Sequence, residues 1–519
     1  MIAVLARDGE HAVVAEFFEL LKTPWSFYQP GAAVDVLLCT LPTVPPVAAR
    51  LVLHYSSATE AGPGNQPATG KEPTPTAWVR DGELEFPLYG PCQKWGQELW
   101  QEAGGESGRT IRIGYELFAE IHQLLTQGQP LGQAACPTLD GHIELLRRWL
   151  TRYAAPWVEI PPVPHGHPYI VCLTHDVDHV GVRNHRFDHT MAGFLARATL
   201  GSLVDLVRGK KTLAQLGANW LAVLKLPLVH LGLARDFWYQ FDEYVALEQG
   251  VPSTFFVIPK KGVAGVKAPP KRAASYTVRE LQPHLQRLES AGKEIGVHGL
   301  DAWHQAAAGR EEQQIIRELV PQQGKGIRMH WLYFSPMAPQ ELEAAGYDYD
   351  STVGYNATVG YRAGTAQVFK PLLVSKMLEL PMLIMDTALF YPSYLNLSPV
   401  AARERLAPLL AHARQFGGTV TINWHDRSIA PERLWGQTYG ELIGAGRQAE
   451  AWFATAGQAV AWYQQRRSAR FTQTGQRVGI QCAGKPAPGI PPMRLRIHAA
   501  PGRVTERELN SDLEMSLAC

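Results

Sequence analysis

An unbroken apolar run, Tyr169-Ile170-Val171-Cys172-Leu173, leads straight into Thr174-His175-Asp176-Val177-Asp178. A strand without alternation is one buried on both faces, and Pro168 marks where this one begins. Two carboxylates two residues apart at its end can divide labour, one ligating a metal while the other handles a proton. The ends of strands at the mouth of a parallel barrel are where catalytic groups gather. In isolation the same pair also fits a solvated turn or a helix N-terminus. A later stretch ends in Gly296-Val297-His298-Gly299, with His304 six residues beyond His298. Imidazole beside Asp178 completes a nitrogen and oxygen ligand set typical of Zn²⁺ with a position open to water. A lone histidine would instead be a hydrogen-bonded surface residue. Arg328 lies within Gly326-Ile327-Arg328-Met329-His330-Trp331-Leu332-Tyr333-Phe334, where a buried guanidinium needs an anionic partner. A carboxylate kept ionised by that arginine can serve as a base; a structural ion pair elsewhere is the alternative. Asn423-Trp424-His425-Asp426-Arg427 follows the last apolar run, so His425 can be a general acid tuned by Asp426 or another carboxylate. A surface turn is the plainer account of that segment.

Positioning these groups requires strands that end side by side. Apolar runs at 169–174, 253–258, 293–298, 326–331, 347–350, 378–383 and 418–424 alternate with helical stretches at 236–248, 278–291 and 311–319. Strand–helix alternation of this length predicts an α/β fold with parallel strands, and seven strands suit a barrel one short of eight. A helical insertion over 183–235, with a basic turn at Arg208-Gly209-Lys210-Lys211, falls between the first two strands. It reads as a packing element, with a lid or an interfacial patch as alternatives. Ahead of the barrel, residues 1–154 form an N-terminal α/β accessory domain with strands near 33–38 and 49–53 and helices near 12–21, 116–125 and 142–153. The Gly/Pro-rich segment 56–76 is expected to be a mobile loop. A proline-rich linker over 155–164 precedes the barrel, expected over 165–470. Residues 471–519 are expected to be a C-terminal tail with one strand-like piece, 493–497.

At 519 residues the chain exceeds what one core supports. Its net charge of +1 and pI near 7.7 give no global field for nucleic acid or an anionic membrane. The six cysteines show no Cys-x-x-Cys spacing, and Cys172 reads as an apolar filler. No basic stretch followed by a long apolar run opens the chain, so a cytoplasmic location is expected.

The order Thr-His-Asp-Val-Asp, Ser-Thr-Phe-Phe-Val, Glu-Ile-Gly-Val-His-Gly, Gly-Ile-Arg-Met-His, Tyr-Asp-Tyr-Asp-Ser-Thr and Trp-His after the last strand resembles the polysaccharide deacetylase superfamily, the NodB-homology family, over roughly 165–465. The resemblance implies a distorted (β/α)7, TIM-like barrel and metal-dependent, commonly zinc-dependent, removal of acetyl groups from N-acetylated sugars. It implies Asp176 as catalytic base, Arg328 as the arginine holding it, His425 as catalytic acid, and Asp178 and His298 as metal ligands. The family's second metal histidine falls four residues after the first, which here is Ala302; His304 is expected to take that role, with Asp301 as the alternative. His175, His179, His185 and His189 crowd the first motif as further candidate ligands, the last two read as a solvated loop. Arg362 and Asp386 fall where related proteins carry substrate-side or supporting residues. Trp331, Tyr333, Trp424 and Trp435 can stack on sugar rings, or belong to the core. A nucleotide-linked or lipid-linked saccharide precursor of cell-envelope or exopolysaccharide assembly is the expected substrate, with peripheral membrane contact through the insertion. The alternatives are hydrolysis of a non-sugar amide on the same barrel and a catalytically silent saccharide-binding protein.

Overall fold

The computed structural model describes residues 1–57, 73–105, 108–266, 268–475, 477–482 and 488–517. The loop expected over 56–76 lies for the most part, at 58–72, outside the described residues. Eight strands form a sheet in the order Leu378–Glu379, Tyr349–Asp350, Gly326–Met329, Glu294–Gly299, Ser253–Val257, Ile170–Val177, Thr419–Asn423, Ile384–Met385, and every pairing is parallel. A ninth, Trp452–Phe453, pairs beside the start of Ile170–Val177. The two outermost strands are separated by only residues 380–383, a span of at most about 18 Å. Laid flat, eight strands would hold them about 34 Å apart. The sheet is therefore curled until its edges nearly meet.

That seam corrects one expectation. The strand predicted over 378–383 stops at Glu379, and a second short strand, Ile384–Met385, starts just past it on the opposite edge, because Pro381 between them has no N–H for a ladder. Leu380 N still bonds Asp350 O and Leu383 N bonds Thr421 O, so the interrupted segment ties both edges. The absence of alternation in Ile170–Val177 has a direct cause: Val171 and Leu173 enter one core, while Ile170 and Cys172 enter another with Trp462 and Tyr463. The strand expected over 326–331 ends at Met329, where Trp331 and Leu332 turn through positive φ.

Residues 1–154 hold a six-stranded sheet ordered Trp25–Phe27, Ile2–Leu5, Val34–Cys39, Ala49–Tyr55, Gly108–Ile113, Trp100–Gly105, with helices His11–Leu21, Leu117–Thr126 and Thr138–Tyr153. Its core runs on into Ala363 and Phe369. The expected linker contains a strand, Trp157–Glu159, which pairs antiparallel with Met493–Ala500. Nor is 471–519 a bare tail: Arg470–Thr474, Arg477–Gln481 and Leu513–Ser516 form one antiparallel sheet, and Met493–Ala500 pairs with Arg503–Leu509. Met493, Leu495 and Ile497 alternate inward against Arg494 and Arg496, a period of two that buries one face. The segment 183–235 folds as His189–Ala196, a π-helical turn Arg197–Gly201, Ser202–Val207 and Leu213–His230.

Candidate metal and catalytic centre

Three strands of the curled sheet each deliver two polar side chains at i and i+2 to one face: Asp176 and Asp178, Arg328 and His330, Asn423 and His425. In the deeper layer Arg328 Nη1 donates to Asp176 Oδ1 at 3.0 Å and to Thr174 Oγ1 at 2.8 Å. Its other nitrogens bond the carbonyl and hydroxyl of Ser351, and its plane lies over Phe256. Asn423 Nδ2 donates to Asp176 Oδ2 at 2.8 Å. Asp176 is thus held through both oxygens. Burial would raise its carboxyl, but His298, Arg328 and His425 outweigh burial and keep it below the usual carboxylate range.

Above that layer, Asp178 Oδ1 lies 3.4 Å from His298 Nε2 and 3.6 Å from His330 Nε2. One ligand atom from each of the three falls within 4.8 Å of the others. Donors about 2.0–2.1 Å from a tetrahedral ion stand about 3.4 Å from one another, so the spacing suits a cation such as Zn²⁺. Asp178 Oδ1 is buried without a hydrogen-bond partner, the condition of an oxygen that has a ligand to bind. His298 Nδ1 donates to the carbonyl of Arg328 at 2.9 Å, which leaves the Nε2 lone pair directed at Asp178. Burial lowers His330 to about 3, so its imidazole is neutral and able to ligate. Burial would raise Asp178, yet the positive charge on its histidine neighbours, carried by His425, holds it well below the usual range.

His425 completes the rim. Asp386 grips it twice, Oδ1 on Nδ1 at 2.6 Å and Oδ2 on the backbone N at 2.7 Å. Burial opposes its charge, but Asp386, with Asp178 and Asp176 beyond, pushes the imidazolium up to about 10. Its Nε2 is 3.8 Å from Asp178 Oδ2 and faces a cleft of about 780 Å³.

Comparison with solved structures finds likenesses at low sequence identity. A protein from Mycobacterium smegmatis named as a polysaccharide deacetylase is 18% identical, with a TM-score of 0.37 over 61% of this chain and 99% of that one. One from Pseudomonas aeruginosa PAO1 named in the same way is 14% identical, with a TM-score of 0.37 over 59% of this chain and 95% of that one. The allantoinase Puue is 14% identical, with a TM-score of 0.35 over 58% of this chain and 92% of that one. No protein-family model and no curated protein matches the chain. All three TM-scores lie below 0.5, and what the centre can do follows from its side chains.

Asp176, Asp178, His298, Arg328 and His425 converge, and Trp331, Tyr333 and Trp435 line the same cleft. His304 does not reach it. The carboxylate of Glu312 accepts from the backbone N of Leu300 and Asp301, fixing a turn that buries Ala302 and leaves His304 against Asp301 at 3.2 Å. The third candidate donor is His330, just past the end of Gly326–Met329, whose signal was its place two residues beyond Arg328. Asn423 carries the same signal two residues before His425. Trp424, between them, points to the opposite face, fully buried and stacked on Tyr439. Arg362 donates to the carbonyls of Gln129 and Gln127 and is not among the residues that line the cleft. His175 is buried against Glu248 at 2.8 Å and is not a donor to the cleft. His185 is buried too, bonded to His179 and Asp188, and is not part of a solvated loop.

Proposed function

We propose that this chain is a divalent-metal-dependent hydrolase, with zinc the favoured ion, that removes the acetyl group from an N-acetylated saccharide. One observation carries the reading: a doubly held carboxylate lies directly beneath an Asp178–His298–His330 donor set, with a charged imidazole at its edge. When bound, the cation supplies Lewis acidity to the acyl carbonyl and to the attacking water. Asp176 Oδ2, 3.8 Å from His298 Nε2 and thus on the donor side, takes the proton of that water. His425 keeps Nδ1 on Asp386, so Nε2–H is the proton available to the departing amine. Arg328 and Asn423 orient Asp176 and hold it ionised. Trp331, Tyr333 and Trp435 offer flat apolar faces suited to the C–H side of a pyranose.

Acetate release from N-acetylglucosamine oligomers, measured beside elemental analysis of metal per chain, tests the reading. His330→Ala should lose the metal and more than ~100-fold of activity, beyond what outer partners cost. His304→Ala should keep both. A protein that hydrolyses cyclic amides and no acetylated sugar would place the substrate among non-sugar amides. One that binds no metal as isolated would end the proposal.

A further inference from the structure

The same cleft is walled by guanidiniums for which the proposed reaction has no use. Arg197 comes from the helical insertion, and Arg427 and Arg433 from the segment after Thr419–Asn423. Arg433 is 6% exposed and its Nε has no partner; Arg197 Nη2 is buried without one. Among the described residues, none of the three is engaged in an ion pair, and the contacts of Arg427 and Arg433 are the rings of Trp238 and Trp435. The carboxylates on the same segment, Asp426 and Glu432, each spend one oxygen on another partner, and their second oxygens make no hydrogen bond to a guanidinium. Asp426 Oδ2 accepts from the backbone N of His179 and Val180, and Glu432 Oε1 accepts from Trp238 Nε1. Burial works against all three charges, and repulsion between the guanidiniums adds to it at Arg197 and Arg427, lowering Arg197 to about 9, while Glu432 partly offsets burial at Arg433. Unpaired buried guanidiniums are costly, and a polyoxygen anion is the partner their geometry matches.

The insertion that supplies Arg197 has a second property. Each of its long helices buries one stripe and exposes another apolar one. Met191, Phe194 and Ala198 pack toward Trp238, while Leu200, Leu203, Val204 and Val207 recur outward at i, i+3, i+4 and i+7. On Leu213–His230 the outward set is Leu213, Trp220, Leu221, Leu224 and Leu228. Half of the exposed large apolar side chains among the described residues fall within 187–233. Residues 183–235 also hold eight basic residues against two acidic, a net of +6 in a chain of net +1. The run His189–Val207 is long and apolar enough to cross a bilayer by length and composition. Its inner stripe is packed on the protein, an arrangement that suits a helix lying on a membrane surface.

We propose that the saccharide taken by this cleft is joined through phosphate or diphosphate to a lipid, with Arg197, Arg427 and Arg433 on the phosphate oxygens and the outward stripes seated in an anionic bilayer surface. Arg197 lies three residues before Leu200, so a phosphate it holds sits where the polar cleft meets the apolar face. This is the order of groups in a lipid-phosphate-linked sugar. Basic residues near an apolar helix face add attraction to anionic headgroups. The inference rests on the hydrolase reading for its saccharide but not for its anion.

Two binding measurements on the full chain test it. Farnesyl diphosphate, titrated calorimetrically, should bind more tightly than inorganic diphosphate or uridine diphosphate, and Arg197→Gln or Arg427→Gln should weaken it about 10-fold or more. The protein should sediment with mixed phosphatidylglycerol and phosphatidylcholine vesicles, less with phosphatidylcholine alone, and a Leu203→Glu, Leu224→Glu variant should stay in the supernatant. Farnesyl diphosphate affinity unchanged in both arginine variants overturns the anion subsite. Equal affinity for uridine and farnesyl diphosphates, with no vesicle binding, overturns the lipid. A chain that binds farnesyl diphosphate through these arginines yet releases no acetate sinks the hydrolase reading and leaves the subsite standing.

Discussion

His425 is charged because Asp386 is there. One carboxylate satisfies both its ring and its backbone nitrogen, and the imidazolium survives burial up to about 10. A folded value above the ordinary one means the pair's contribution to stability is complete below the usual imidazole range and is lost as pH rises through about 10. The same titration removes the proton donor of the proposed reaction. Asp176, held low, stays ionised through the neutral range. Asp386→Asn should therefore move the alkaline limb of kcat down toward the ordinary histidine value of about 6.5. At mildly alkaline pH, activity should fall by ~10²–10⁴, the usual worth of a positioned acid. A pH–rate profile of the metal-loaded variant with an unmoved alkaline limb would show that another group is the acid.

The element that makes the centre possible is the strand end, used three times with a spacing of two. The deeper member of each pair is fixed by hydrogen bonds within its own layer, and the outer one stands on it, so the geometry of the rim depends on the layer beneath it. Phe256 supports that layer, lying 4.6 Å under the Arg328 guanidinium. Gly296, on the adjacent strand, leaves room for it. A Cβ at Gly296 would meet Phe256 Cδ1 at 2.5 Å and Cε1 at 2.6 Å. Gly296→Ala should displace the ring and cost about 1–3 kcal/mol in chemical denaturation, as overpacked cores do. Its kcat should fall with KM little changed, since Asp176 and not the cleft wall is disturbed. An unaltered denaturation midpoint would mean that the ring yields freely.

Across the whole molecule, the curled sheet and the N-terminal sheet share buried polar contacts that neither can satisfy alone. Arg466 is fully buried and donates to the carbonyls of Ile160, Glu19 and Leu20. Arg467 pairs with Glu16 at 2.7 Å, and Ala363 and Phe369 complete the core of residues 1–154. Removing residues 1–154 would leave Arg466 short of two carbonyl acceptors and expose an apolar face. A chain of residues 155–519 should be insoluble, while the full chain should unfold in one calorimetric transition. Two well-separated transitions would show that the halves are energetically independent. Net charge misleads at this scale: +1 overall conceals the +6 of the insertion.

Order along the chain was readable. The unalternating run before Asp176, the two-residue spacing to Asp178, and imidazoles at the ends of later strands are local patterns. Backbone periodicity alone tells which side chains share a face. The same rule, applied once more, would have placed His330 with Arg328 and turned Trp424 away from His425. What could not be read was that His304 stays outside the donor set, because Glu312, from the helix that follows, clamps the turn before it. The seam at Pro381, the strands within 471–519 and the meeting of Arg197 with Arg427 and Arg433 likewise depend on contacts between distant segments. Periodicity is a property of neighbours in the chain, whereas which loop turns inward is settled by what packs behind it.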